Sequence, residues 1–224
     1  MNKIYVDKPL TLKEINKETE ERVGRIQDEF TKGFDFIKNC ANSVTFFGSA
    51  RTSEDDPDYI KCRELAGKIA KDLHYAVVTG GGPGIMEAAN RGAYENDGQS
   101  IGFTINLPEE QVTNKYMTDH LGFHYFFSRK VSLTFSAEAF VYFPGGFGTY
   151  DELFEILTLI QTNKVEKTPV ILFGSEYWNK FMDYLKDNLL EGEKIHAKDL
   201  DLITITDDID EAVEIIKNAP KRMS

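Results

Sequence analysis

Between residues 11 and 39, apolar side chains recur about every three, four or seven positions. Leu12, Ile15, Val23, Ile26, Phe30, Phe34 and Ile37 form one stripe with charged residues between them, which predicts an amphipathic helix. Such a helix, placed ahead of the first strand, either packs on the main domain or serves a subunit interface. From residue 44 the pattern changes to short apolar runs alternating with helical periods. The runs at 44–48, 75–79, 100–105, 139–143, 170–173 and 203–205 read as strands. Helices are expected near 58–73, 85–97, 128–137, 149–163, 177–190 and 208–217. Several strands are apolar at nearly every position, as in a parallel sheet covered on both faces. Strand–helix alternation sustained to the end predicts an open, doubly wound α/β fold. Residues 1–39 are then a helical extension and 40–224 one domain, with 106–127 the least regular stretch, a loop with a short strand.

In such a fold, ligands bind beyond the carboxyl ends of the strands. Three groups of residues lie there. Gly48, Ser49 and Arg51 follow the first strand: small residues for close backbone approach, and a guanidinium suited to phosphate or carboxylate. Gly80-Gly81-Gly82-Pro83-Gly84 follows the second and opens a helix carrying Glu87. Four glycines in five positions exceed what one tight turn needs, so Gly81, Gly82 and Gly84 are candidates for an anion cradle. The spacing is neither G-x-G-x-x-G nor a Walker loop, which makes NAD and ATP weaker expectations than a mononucleotide. Pro144-Gly145-Gly146-Phe147-Gly148-Thr149-Tyr150-Asp151-Glu152 follows the fourth predicted strand and forms a second anion site. Thr149 and Glu152 also fit a capping box, which would give the glutamate a purely structural task. Arg129 and Lys130 are adjacent cations at a predicted helix start, where the dipole disfavours them, which suggests an anionic partner. The aromatics Phe123, Tyr125, Phe126, Phe127, Tyr142, Phe143 and Phe147 read as core.

Composition narrows this further. Lys and Arg total 26 against 37 Asp and Glu, a net charge of −11, which argues against a sequence-independent grip on nucleic acid. No apolar run is long enough to span a membrane, and the charged N-terminus lacks a signal-peptide core, so a cytoplasmic protein is expected. The two cysteines, Cys40 and Cys62, make neither a disulfide scaffold nor a zinc site. The four histidines show no metal-binding spacing, and neither metal nor cofactor is expected.

P-G-G-x-G-T-x-x-E from Pro144 to Glu152, the run Gly80 to Asn90, the Arg129-Lys130 pair and Leu159-Ile160-Gln161-Thr162 together resemble the Lonely Guy family. Its members are nucleoside 5′-monophosphate phosphoribohydrolases known for activating cytokinins, many formerly labelled lysine decarboxylases. The resemblance covers roughly residues 40–190 and is closest to the longer bacterial branch. It implies a Rossmann-like homodimer or higher oligomer with active sites near the interface. It also implies that Arg129 and Glu152 are catalytic, and that Lys130, Gly145 to Asp151 and Thr158 contact the nucleotide. An upstream acid of the plant members falls near Glu110. The expected reaction splits AMP or an N6-substituted AMP into free base and ribose 5-phosphate, with Arg129 keeping Glu152 ionised. Two other readings use the same residues: a nucleotide-binding module without catalysis, and a pyridoxal phosphate decarboxylase using Lys130.

Overall fold

The computed structural model describes residues 12–38, 42–106, 113–135 and 137–220, except the side chains of residues 13–15. The expected roles of Cys40 and Glu110, and of the Ile15 side chain, lie outside the described residues. Helix α1 (Leu12–Ile37) precedes β1 (Ser43–Phe47), α2 (Pro57–Lys68), β2 (Ala76–Thr79), α3 (Ile85–Tyr94) and β3 (Ser100–Ile105). Then follow β4 (Asp119–Phe123), α4 (Phe126–Phe135), β5 (Ala137–Tyr142), α5 (Phe147–Gln161), β6 (Val170–Phe173), α6 (Ser175–Tyr184), α7 (Ala197–Leu200), β7 (Ile203–Thr206) and α8 (Ile209–Lys217). One π-helical segment, 69–73, extends α2, and another, 185–190, extends α6.

The strands form one parallel sheet in the order β4-β3-β2-β1-β5-β6-β7. Both faces are covered, which explains the continuous apolar runs. Val44, Phe46, Val77, Val141 and Phe143 face α2, α3 and α8 through Leu65, Ile85 and Ile216. Val78, Phe103, Phe140, Tyr142 and Leu172 face the other layer, where Ile37, Leu133, Ile156 and Trp178 come from α1, α4, α5 and α6. Two helix starts are fixed by local chemistry. The Asp56 carboxylate accepts from Asp58 N ahead of Pro57, and Asp208 accepts from Asp210 N and Glu211 N.

The short strand expected within 106–127 is present as β4, an edge strand with Asp119, His120 and Gly122 exposed. Three details differ from the sequence pattern. Helix α7 is a single turn that periodicity does not reveal. Phe126, Phe127 and Phe147, expected in the core, are exposed: the first two open α4 and point off its outer side, while Ser128, Ser132 and Leu133 face inward, and Phe147 is the first residue of α5 at the sheet's end. Along α1, Ile37 is buried but Leu12 and Val23 are exposed, so only the C-terminal half of the stripe is covered.

Chain order reverses between β1 and β5, the neighbours from which the sheet grows outward in both directions. Phe47 pairs with Tyr142 there, so the segments after β1 and β5 leave the sheet side by side. A crevice beyond the strand ends at such a point is where doubly wound folds bind ligands.

Candidate functional site

The three glycine-bearing segments meet at this crevice. Ser49 N donates to Pro144 O (3.0 Å), and Ile85 N donates to Ser49 O (3.0 Å), so the loop after β1 is tied to both others. Close approach accounts for several glycines. A Cβ on Gly48 would strike Ile85, one on Gly84 would strike the backbone of Ser49, and one on Gly145 would strike Thr149 Oγ1. Gly81 and Gly84 also have positive φ (71° and 68°). Beneath the Gly80–Gly84 loop is a buried amide network. Thr79 Oγ1 donates to Asn90 Oδ1 (2.6 Å) and accepts from Gly81 N (2.9 Å), while Asn114 Nδ2 donates to Gly82 O and to Asn90 Oδ1 (3.0 Å each). Every polar group in that network is satisfied, so the loop is held rigid.

Gly146 and Gly148 are different. Each could carry a Cβ without meeting any atom within 4 Å, and neither has positive φ. The fold therefore has no need of glycine at either place. They flank Phe147, 97% exposed, at the N-terminus of α5, where free backbone N–H groups and the helix dipole favour an anion. Helix α5 begins earlier than the sequence suggests. Gly146 is its N-cap and Thr149 its third residue, so the expected capping box does not form. Glu152 is released from that task and lies one and a half turns inside the helix.

Glu152 is only 9% exposed. Burial raises its pKa to about 7; Lys130 and Arg129 pull it down, and Glu155 and Asp151 push it up. The expectation that Arg129 keeps this carboxylate ionised is corrected accordingly: desolvation outweighs the neighbouring cations. Arg129 is itself lowered by burial and held up by Glu152. Its Nε donates to Phe103 O (2.7 Å), and its guanidinium lies so close to Gly80 that a Cβ there would collide with it. The Arg129 side chain thus spans Phe103 O of β3 and the Gly80 loop, and its charge acts on Glu152.

Lys130 is committed to α5, with ion pairs to Asp151 (2.8 Å) and Glu155 (2.6 Å). Burial opposes its charge, yet those two acids lift its pKa above the ordinary lysine value. Tyr142, fully buried at the end of β5, finds no hydrogen-bond partner for its hydroxyl among the described residues. Burial drives its pKa well up, with Glu152 and Glu155 adding to the effect.

Other candidates lie apart or do different work. Glu87 accepts from Tyr59 Oη (3.1 Å) across the α2–α3 contact. Arg51 is exposed, its backbone N–H bound to Ser49 Oγ (3.0 Å). Thr158 is exposed and donates to Phe154 O, nine residues along α5 from Thr149, roughly 13 Å by helical rise. Tyr150 packs between Trp178 and Phe181, with ring centroids 5.7 and 5.2 Å apart, and beside it Tyr177 Oη donates to Gly145 O (2.7 Å). The sequence points to no role for Asn114 or Tyr177, and places Tyr142 only in the core. Among the described residues, no group of three or more His, Cys, Asp or Glu side chains is disposed to hold a metal ion, and no helix is long and apolar enough to cross a membrane.

The family described as possible lysine decarboxylase matches residues 86–216 of this chain. A cytokinin riboside 5′-monophosphate phosphoribohydrolase of Rhodococcoides fascians is 28% identical over 156 residues, covering 67% of this chain and 77% of that protein. The pyrimidine/purine nucleotide 5′-monophosphate nucleosidase of Escherichia coli (strain K12) is 25% identical over 202 residues; the match takes in 84% of this chain but only 42% of that enzyme. Among solved structures, a molybdenum cofactor carrier protein from Chlamydomonas reinhardtii superposes with a TM-score of 0.57 at 23% identity, covering 80% of this chain and 97% of that one. At that identity the likeness speaks for the fold alone.

Proposed function

This chain belongs to the family described as possible lysine decarboxylase, the Lonely Guy family, and we propose that it hydrolyses the N-glycosidic bond of a nucleoside 5′-monophosphate. The observation that carries this reading is the pairing of a free helix N-terminus, bearing two glycines the fold does not need, with a buried Glu152 beside Arg129. The 5′-phosphate is held by the first amides of α5 and by Thr149. Anchoring it supplies binding energy remote from the bond that breaks. The C1′–N bond then opens, its electron pair leaving with the base, and positive charge develops at C1′. Glu152 as carboxylate stabilises that charge and takes a proton from the attacking water. The water oxygen bonds C1′, and the base acquires a proton from solvent. One water is consumed per base and ribose 5-phosphate released. Arg129 orients Glu152 and holds part of its charge against burial.

Decarboxylation through pyridoxal phosphate fits this site poorly. It needs a lysine able to become neutral, whereas Lys130 is held charged by Asp151 and Glu155. AMP, its N6-substituted forms, other nucleoside monophosphates and lysine, incubated separately with the protein and followed by chromatography, separate the readings. Free adenine and ribose 5-phosphate are expected. AMP bound but unchanged after long incubation would leave a binding module, and loss of lysine would restore the decarboxylase.

Two further results are expected. Gly148→Ala fills open space in the first turn of a helix, so the fold should gain, by about 0.5–1 kcal/mol. Ribose 5-phosphate affinity should nevertheless fall about tenfold, because the added methyl group crowds the anion held by the backbone N–H groups of that turn. Thermal melting and titration calorimetry measure the two. Since Glu152 acts ionised and its pKa is about 7, kcat/KM should climb with pH up to about 7 and then level.

We also propose a homo-oligomer, because Phe126, Phe127, Phe135, Phe147 and Phe154 on α4 and α5 are exposed apolar rings that a second copy would cover.

A further inference from the structure

Glu29, on α1, is a buried acidic side chain, 8% exposed, that has no part in the chemistry proposed above. Its Oε1 accepts from His124 N (2.6 Å), and its Oε2 accepts from Tyr125 N (3.3 Å) and from Ser128 Oγ. Those groups are the entry to α4: the two residues before Phe126, and the third residue of the helix. A carboxylate there satisfies free amides and complements the dipole, the task a local Ser, Asp or Asn usually performs. Here it arrives from 95 to 99 residues away in sequence.

Arg129 is the next residue after Ser128. It owes its direction to the turn that Glu29 holds, since Arg129 N donates back to Tyr125 O (3.3 Å). Helix α1 supports the other anchor of Arg129 as well. Phe36 packs edge-on against Phe103 (5.6 Å), whose carbonyl receives Arg129 Nε. Between these points α1 runs close against α4. A Cβ on Gly33 would meet Ser132 Oγ at 2.5 Å, and Phe34 and Phe135 rings lie 4.9 Å apart.

We propose that Glu29 is a positioning residue of the active site: its carboxylate clamps the first turn of α4 and thereby aims the Arg129 guanidinium at Gly80 and Glu152. The N-terminal helix is then part of the catalytic apparatus without touching substrate. This rests on the placement of Arg129 in the active site argued above. Misaiming a catalytic group by about 1 Å costs up to about 10²-fold in rate, which sets the scale of the effect.

The test combines Glu29→Ala and Glu29→Gln with Arg129→Ala, using adenine release from AMP. Glu29→Ala should lower kcat about tenfold to 10²-fold with KM changed little, because the phosphate is held by α5 rather than α4. Glu29→Gln, which keeps one acceptor oxygen, should restore part of the rate. In the Arg129→Ala background the Glu29→Ala penalty should vanish, whereas a general loss of stability would persist there. A second readout needs no turnover: protection of the Arg129 Nε–H from exchange, followed by nuclear magnetic resonance, should drop in Glu29→Ala. Undiminished kcat and Nε–H protection in a folded Glu29→Ala protein would overturn the proposal, as would an equal penalty with and without Arg129. If the wild-type protein releases no base, the functional reading fails, and the exchange measurement still decides the role of Glu29.

Discussion

Replacing Glu152 by Gln is expected to lower kcat for AMP about 10²- to 10⁴-fold, the range spanned by loss of a general base or a preorganised charge. The substitution keeps the shape of a side chain that is nearly enclosed, so the helix and the phosphate cradle should persist. Ribose 5-phosphate binding should therefore change little, and the loss should appear in kcat rather than KM. The variant should also lose part of a pH dependence of stability. The pKa of Glu152 is raised by folding from 4.5 to about 7. Its contribution to stability is thus complete below pH 4.5 and disappears as pH rises through 7. Melting temperature should decline less across that window in the glutamine variant than in the wild type. Adenine released at the wild-type rate by Glu152→Gln would count heavily against the mechanism.

Arg129→Ala should reduce kcat about 10²-fold, close to 3 kcal/mol of transition-state stabilisation. The loss has two sources. The side chain that orients Glu152 is gone, and a positive charge that lowers the glutamate pKa is removed. The acid limb of the pH–rate profile should consequently move to higher pH. The second ionisation of the substrate phosphate, near 6, belongs to AMP and should stay in place, so the shift identifies the titrating group. Lysine at position 129 should not restore activity, because a point charge cannot reproduce a planar guanidinium that both reaches Phe103 O and lies against Gly80. A normal rate for Arg129→Ala would make the residue a bystander.

Much of this was readable from residue order. The sheet declares itself in apolar runs because both its faces are covered, and the P-G-G-F-G-T segment declares an anion site because glycines cluster ahead of a helix. What was hidden depends on chain segments that meet only after folding. Nothing near Glu29 marks it as the cap of a helix almost a hundred residues later, and nothing near Asn114 shows that its amide secures Gly82. The same holds for Glu152: the cations that lower its pKa are visible in the sequence, while the burial that outweighs them is not. Thr149 and Glu152 matched a capping box by spacing alone, but the helix starts two residues sooner and leaves them inside it.

Strand β4 lies at one margin of the sheet, with Asp119, His120 and Gly122 exposed along it. Charge and a missing side chain make this strand hard to see by pattern, and they also decide how it behaves toward other molecules. A margin of unpaired amides and carbonyls is a template onto which a foreign strand can add, and charged or side-chain-poor positions make that addition unfavourable. The features that blur β4 in the sequence therefore disfavour addition of a further strand at this edge and guard it against edge-to-edge aggregation.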